Sequence, residues 1–283
     1  MNNSSKSELL DSLSLGKATE YGGDYDPGLL QAVPRVLNRI ELGVEHTQPF
    51  FGEDVWNAYE LSWLNEKGKP VVALARISIP FNSECLVESK SLKLYLNSLN
   101  QTRFASMRSV LNVLTRDLEA LLDIPVTVNV FSANDLSEFR VTNMPGECLD
   151  DQDIIVNEYQ LTPSLLQCAE GDKHRTTSEI LHSHLLKSNC LITNQPDWAT
   201  VIIDYSGQAI DREALLRYLI SFRQHNEFHE QCVERIFMDL LRTHKLSRLS
   251  VQALYTRRGG LDINPFRSTD ESAQAPLLRI NRQ

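Results

Sequence analysis

One feature constrains this chain more than any other: an order of elements that occurs twice. Trp56–Trp63 has strand composition, Asn65–Lys69 has turn chemistry, and Val71–Ile79 alternates as a second strand, which predicts a hairpin. A helix over Ser89–Asn100 follows, with Leu92, Tyr95, Leu96 and Leu99 on one stripe. A second helix spans Ser106–Leu122, and Val126–Phe131 reads as a short strand. Further on, strands over Glu179–Ser188 and Ala199–Tyr205 precede helices over Asp211–Gln224 and Glu230–Thr243, then a strand over Ser250–Thr256. Leu92-Lys-Leu-Tyr95-Leu-Asn-Ser98 echoes Leu215-Leu-Arg-Tyr218-Leu-Ile-Ser221. The pattern predicts an α+β fold built by duplication, with antiparallel sheets and helices packed on one face. It disfavours a doubly wound parallel sheet, because the strands come in pairs and do not alternate with helices.

The 283 residues divide on this reading into an irregular segment 1–50, a first module 51–133, a polar connection 134–175 with one or two short strands, and a second module 176–283. Gly22-Gly23, Pro27, Pro34 and Pro49 break any period in the first segment. Gly259-Gly260 ends the last expected strand, and the tail after Arg267 is polar. The formal charge of −9 disfavours a direct nucleic-acid binder and favours a small-molecule ligand. The five cysteines are widely spaced without a CxxC, as in a reduced cytoplasmic protein. The N-terminus has no apolar stretch of signal-peptide type, and no apolar run is long enough to span a bilayer. The expected location is the cytoplasm.

Cys190 is the cysteine most suited to chemistry, in Lys187-Ser-Asn-Cys190-Leu-Ile-Thr-Asn-Gln-Pro196-Asp197-Trp198. It lies among polar residues before a strand, and Asp197 follows behind a proline. A thiolate nucleophile needs such access and a nearby proton carrier. Against this, free cysteine is more often a small buried hydrophobe. Phe228-His229-Glu230 opens a helix and joins a ring that can stack, an imidazole that can move a proton and a carboxylate that can accept N–H groups. A solvated helix cap is the plainer reading. Glu88-Ser89-Lys90 opens a helix in the first half and offers a carboxylate beside a phosphate-competent helix start. Arg257-Arg258-Gly259-Gly260 joins charge to backbone freedom, or is a surface turn.

No GxG occurs, so neither a dinucleotide fingerprint nor a Walker loop is present. His182 and His184 with Cys190 give a weak zinc pattern, and no metal site is assigned.

Taken together these segments resemble the NADPH-dependent 7-cyano-7-deazaguanine reductases, the nitrile reductases of queuosine biosynthesis. Glu88-Ser-Lys-Ser-Leu-Lys-Leu-Tyr95, continuing through Asn97–Phe104, matches the family's signature motif. Ser188–Trp198 looks like its nucleophile loop, and Phe222–Glu230 and Tyr255–Pro265 match two further segments. Leu15-Gly-Lys17, Leu29-Leu30 and Pro34-Arg35 are similar too. The resemblance covers nearly the whole chain, in the long two-module form. It implies tandem tunnelling-fold modules, NADPH as cofactor, a deazaguanine substrate and a homodimer. It implies that Cys190 adds to the nitrile to form a thioimide, that Asp197 donates a proton, and that His229 assists. It further implies that Val87, Glu88, Ser89, Phe228, His229 and Glu230 meet the substrate, and that Ser89, Lys90, Arg258 and Gly259 meet NADPH.

Three competing readings stand beside it. A cyclohydrolase of the same fold would want a metal, a non-catalytic base-binding module would have no use for the thiol, and a thiol amidohydrolase is more distant.

Overall fold

The structure, a computed structural model, describes residues 24–44, 46–135, 137–166 and 176–283. Leu15-Gly-Lys17, Gly22-Gly23 and Cys168 lie outside the described residues. The chain forms two compact units. The first comprises residues 1–45, 55–139 and 257–262, and the second 46–54, 140–256 and 263–283.

In the first unit, β1 (Ala32–Pro34) and α1 (Val36–Arg39) precede β2 (Phe51–Leu64), which belongs to this unit from Val55 onward. β3 (Pro70–Pro80) and β4 (Cys85–Val87) follow. The turn joining β2 and β3 is closed by Asn65 Oδ1, which accepts from the amides of Lys67 (3.0 Å) and Lys69 (2.9 Å). α2 (Ser89–Ser98) buries Leu92, Tyr95 and Leu96. α3 (Met107–Leu122) starts at a Ser106 cap and buries Val110, Leu114, Leu118 and Leu122, one residue per turn. β5 (Thr127–Ser132) pairs antiparallel with β3.

The second unit repeats the theme. β6 (Glu147–Cys148) runs parallel to β7 (Thr176–Asn189), and β7 pairs antiparallel with β8 (Pro196–Gln208). α4 (Arg212–Ser221) and α5 (His229–Thr243) follow, then β9 (Leu246–Tyr255), antiparallel to β8. α5 packs on β9 through a face that includes Cys232, Val233, Ile236, Phe237 and Leu240, all fully buried. The fold is therefore α+β with antiparallel pairing dominant, as the tandem tunnelling-fold reading requires.

The duplication is also written in polar chemistry. Tyr95 donates to Asp117 at 2.6 Å, and Tyr218 donates to Asp239 at 2.7 Å. The Ser98 hydroxyl donates to the Tyr95 carbonyl and accepts from the Asp26 amide. The Ser221 hydroxyl does the same with the Tyr218 carbonyl and the Thr162 amide. Asp26 and Thr162 each lead into a short 3-10 turn, Pro27–Leu29 and Pro163–Leu165. Asp26-Pro-Gly-Leu-Leu-Gln31 thus corresponds to Thr162-Pro-Ser-Leu-Leu-Gln167, an echo the apolar stripes do not reveal.

The structure corrects several expectations. Segment 1–50 is not wholly irregular, since it carries β1 and α1. A final strand, β10 (Leu261–Ser268), follows Gly259-Gly260 and is buried along its whole length. Its sequence Leu-Asp-Ile-Asn-Pro-Phe-Arg-Ser hides it, because its polar side chains are paired inside. Asp262 accepts from Asn57 and Tyr59, and Arg267 donates to Asp54 and Glu234 at 2.8 Å each. Both of those carboxylates are themselves buried. Paired in this way, charges can enter a core where unpaired ones cannot.

Candidate active site

The second unit gathers Cys190, Asp197, Phe228, His229 and Glu230. Cys190 sits in the turn joining β7 and β8, half-buried, with its amide on the Gln195 carbonyl (2.8 Å) and its carbonyl accepting from the Asn194 amide (3.1 Å). Asn194 takes a left-handed conformation at φ 55°, which asparagine tolerates better than most residues. The turn is fixed to the segment that leads into α5. The Asn189 amide bonds the His225 carbonyl, the Glu227 amide bonds the Asn189 carbonyl, and Asn226 Nδ2 reaches the Cys190 carbonyl at 3.2 Å.

Pro196 opens β8 and Asp197 follows, only 2% exposed. Asp197 Oδ1 lies 3.5 Å from His229 Nε2, so the carboxylate and imidazole expected to handle protons are adjacent. The His229 ring meets Tyr255 edge to face at 4.0 Å between centroids, which sets its orientation. Phe228 caps α5 with its amide on Gln231 Oε1, and Glu230 is buried in the first helical turn. A plain solvated cap would not bury that carboxylate.

Support beneath the turn comes from residues to which the sequence reading gave no role. Glu227 is buried and takes Arg235 (2.7 Å) and His225 (2.9 Å). Burial alone would raise its carboxyl, but the hydrogen bonds from His225 and Arg235 outweigh it and hold the group below the usual range. Tyr255 and Asn226 act likewise as fixtures. Their only sequence signal was proximity to singled-out residues.

The first unit holds Val87, Glu88, Ser89, Lys90, Arg258 and Gly259. Val87 and Glu88 are buried at the end of β4 and the start of α2. The Glu88 carboxylate accepts from the amides of Lys90 (2.8 Å) and Ser91 (2.7 Å), capping its own helix. Oε1 also accepts from the Ser89 hydroxyl at 3.5 Å, so the remaining acceptor capacity for a ligand lies on Oε2. Those amides are already used, so a phosphate here would be met by the Lys90 ammonium and the Ser89 hydroxyl, not by a bare helix end. Arg258 and Leu261 close a turn in which Gly259 has φ 57° and Gly260 φ 75°. A Cβ on Gly260 would meet the exposed end of the Glu60 side chain, which can move aside, so it is the positive φ that favours glycine there. Gly259 and Gly260 also line a cavity of about 350 Å³ with Glu60, Lys93, Asn97 and Gln101.

Comparison with known proteins bears on the family of the chain. Residues 21–130 match the family model described as nitrile reductase, 7-cyano-7-deazaguanine-reductase N-term. Residues 196–274 match the model described as QueF-like protein. The two matches follow in tandem over about two thirds of the chain, and the chain belongs to the QueF nitrile reductase family in its two-module form. Cys190 lies just ahead of the second matched stretch, whereas Asp197 and Phe228–Glu230 lie within it. A crystal structure of the archaeosine synthase QueF-Like in the apo form is similar over 35% of this chain and 95% of its own, at 13% identity and TM-score 0.30. Among the described residues, no helix is long and apolar enough to cross a membrane.

Proposed function

We propose that the chain reduces the nitrile of 7-cyano-7-deazaguanine to 7-aminomethyl-7-deazaguanine with NADPH, as a cytoplasmic homodimer serving queuosine biosynthesis. The observation that carries this is the turn holding Cys190, pinned by Asn226 to the segment opening α5, with Asp197 and His229 paired 3.5 Å apart beside it.

A nitrile carbon is a poor hydride acceptor. The Cys190 sulfur adds to it while a proton goes to the nitrile nitrogen, giving a covalent thioimide whose carbon is far more electrophilic. One hard step becomes easier ones. Asp197 delivers that proton, and His229 at its side relays and positions it. Two NADPH molecules, bound in succession, would each supply one hydride to the carbon, with a proton reaching the nitrogen each time. After the first, the C–S bond breaks, the electron pair returns to sulfur and an imine is left for the second. Phe228 stacks on the base. Glu230 and Glu88 each accept N–H groups from its guanine-like edge, with Val87 and Ser89 beside it. A base that brings acceptor or apolar edges against these two carboxylates is disfavoured relative to one that brings N–H donors. Ser89, Lys90, Arg258 and Gly259 hold the cofactor. The left-handed turn at Gly259 fits this, since it lets a phosphate approach the backbone closely.

The test is NADPH oxidation on adding 7-cyano-7-deazaguanine, with Cys190→Ala alongside. The wild type is expected to form the aminomethyl product, and the variant to lose about 10⁴-fold or more in rate while still binding the base. Binding without NADPH oxidation by the wild type refutes the reductase reading.

A further inference from the structure

We infer that Cys148, His182 and His184 form a zinc-binding site in the second unit, separate from the Cys190 turn. The parallel pairing of β6 with β7 places Cys148 directly beside His182, and His184 lies two residues further along β7. The thiol and one ring nitrogen from each histidine all lie within 4.8 Å of one another. Ligands of a tetrahedral zinc stand roughly 3.5 Å apart, as its usual bond lengths require. Side-chain rotation of about an ångström closes the difference.

The surroundings favour ligation over a chance cluster. His182 Nδ1 lies 2.9 Å from the Pro145 carbonyl, which can only accept, so this nitrogen carries the proton when the ring is neutral. The other ring nitrogen then presents its lone pair. A ligating histidine characteristically gives its second N–H to a carbonyl in this way. His184 Nδ1 is tied to Thr200 Oγ1 at 2.9 Å. Asp150 is committed elsewhere, accepting from the Ser183 hydroxyl (2.6 Å) and the His184 amide (2.9 Å), so it fixes the backbone at His184. His182 is buried, while Cys148 and His184 are half-buried, leaving an approach for an ion.

A thiolate with two imidazoles suits zinc, with water in the fourth position. Binding releases the Cys148 thiol proton to solvent, and zinc then bridges β6 to β7. β6 is only two residues long, tied to Arg212 through Glu147 and to β7 by its pairing, and the metal would add a third attachment. The sequence reading placed these two histidines with Cys190, but Cys190 lies six residues beyond His184, about 20 Å along a strand. Cys148 takes its place.

The test is equilibrium dialysis of the full chain against Zn²⁺, with metal content measured, and a parallel titration with Co²⁺. About one Zn²⁺ per chain is expected, and the cobalt form should show thiolate-to-cobalt charge transfer. Saturating Zn²⁺ should raise the melting temperature by about 5 °C or more. Cys148→Ser should weaken zinc binding at least tenfold and abolish the charge-transfer band, and His184→Asn should weaken binding comparably while keeping the fold by circular dichroism. Cys190→Ala should bind zinc as the wild type does. No stoichiometric zinc in the wild type, or equal binding in the Cys148→Ser and His184→Asn variants, overturns the proposal. Neither result bears on the reductase reading, which is tested by NADPH oxidation.

Discussion

The two hairpins occupy the same place in the two units and differ in what they carry. In the first unit Asn65-Glu-Lys-Gly-Lys69 turns tightly, with the Asn65 side chain closing it and Gly68 at φ 81°. In the second, Cys190–Gln195 is one residue longer and is anchored from outside by Asn226. Both second strands then open on an exposed proline, Pro70 or Pro196. The next residue is half-buried Val71 in one and buried Asp197 in the other. The helices diverge similarly. Exposed Ser106 caps α3, whereas Phe228 caps α5 and a buried Glu230 follows. One copy of the hairpin-and-helix framework is therefore a stable turn, and the other spends the same positions on a thiol, a carboxylate and an imidazole. In the first unit the candidate chemistry has moved to the start of α2.

The largest expected effect lies on the Asp197–Val71 correspondence. Asp197→Asn should lower kcat by about 10²–10⁴-fold, the usual worth of a positioned proton donor. Val71→Ala should leave it within about twofold, since surface and half-buried substitutions away from a site act mainly on stability. Steady-state NADPH oxidation compares them. Equal losses would mean that Asp197 matters for folding and not for chemistry.

Next comes stability. Arg267 is fully enclosed with buried Asp54 and Glu234, and Arg267→Met takes from both carboxylates the cation they share, costing about 3–5 kcal/mol. Its first-unit counterpart in kind is Arg76, bonded to Asn57 and to Glu138, whose side chain is 41% exposed. Water can take over from Arg76 at Glu138, so Arg76→Met should cost only about 1–3 kcal/mol. Urea midpoints measure both, and the reverse order would contradict the burial argument.

A smaller contrast lies in the buried tyrosines. Asp117 accepts from Tyr95 and also from Tyr25, each at 2.6 Å. Burial and the hydrogen bond to Asp117 push the Tyr25 hydroxyl up to about 12, so it stays a donor through the neutral range. Tyr95→Phe therefore leaves Asp117 a tyrosine donor. Tyr218→Phe takes the tyrosine from Asp239, whose carboxyl burial already raises. The expected cost is about 1.5–3 kcal/mol for Tyr218→Phe, and less for Tyr95→Phe by urea denaturation.

Much of this framework was legible in the sequence because it rests on apolar period. The stripe from Leu92 to Leu99 and the alternation of Val71–Ile79 follow directly from burying one face. β10 was not legible, because Asp262, Asn264 and Arg267 enter the core only through partners such as Asn57, Gln283 and Asp54, which are remote in sequence. The candidate site was legible as residue types: a thiol in a turn, a carboxylate behind a proline, and Phe-His-Glu at a helix start. The contact of His229 with Asp197, the anchoring by Asn226 and the company of Cys148 with two histidines depend on strand register and packing, which no local pattern records.

The finest contrast concerns the helix starts. Ser106 Oγ accepts from the Ser109 amide at 3.1 Å in the open, so Ser106→Ala should cost about 1 kcal/mol and leave activity unchanged. At the matching start of α5, phenylalanine has no oxygen with which to cap. Gln231 instead reaches back to the Phe228 amide at 3.3 Å, the half of a capping box that the third helical residue can supply. Gln231→Leu should cost a similar amount of stability and, unlike Ser106→Ala, should raise KM for the base several-fold, because it loosens the backbone that aims Phe228 and His229. Paired melting curves and KM values separate the two effects. A Gln231→Leu enzyme with unchanged KM would mean that the turn beneath, held by Asn226 and Glu227, orients Phe228 and His229 without help from the helix start.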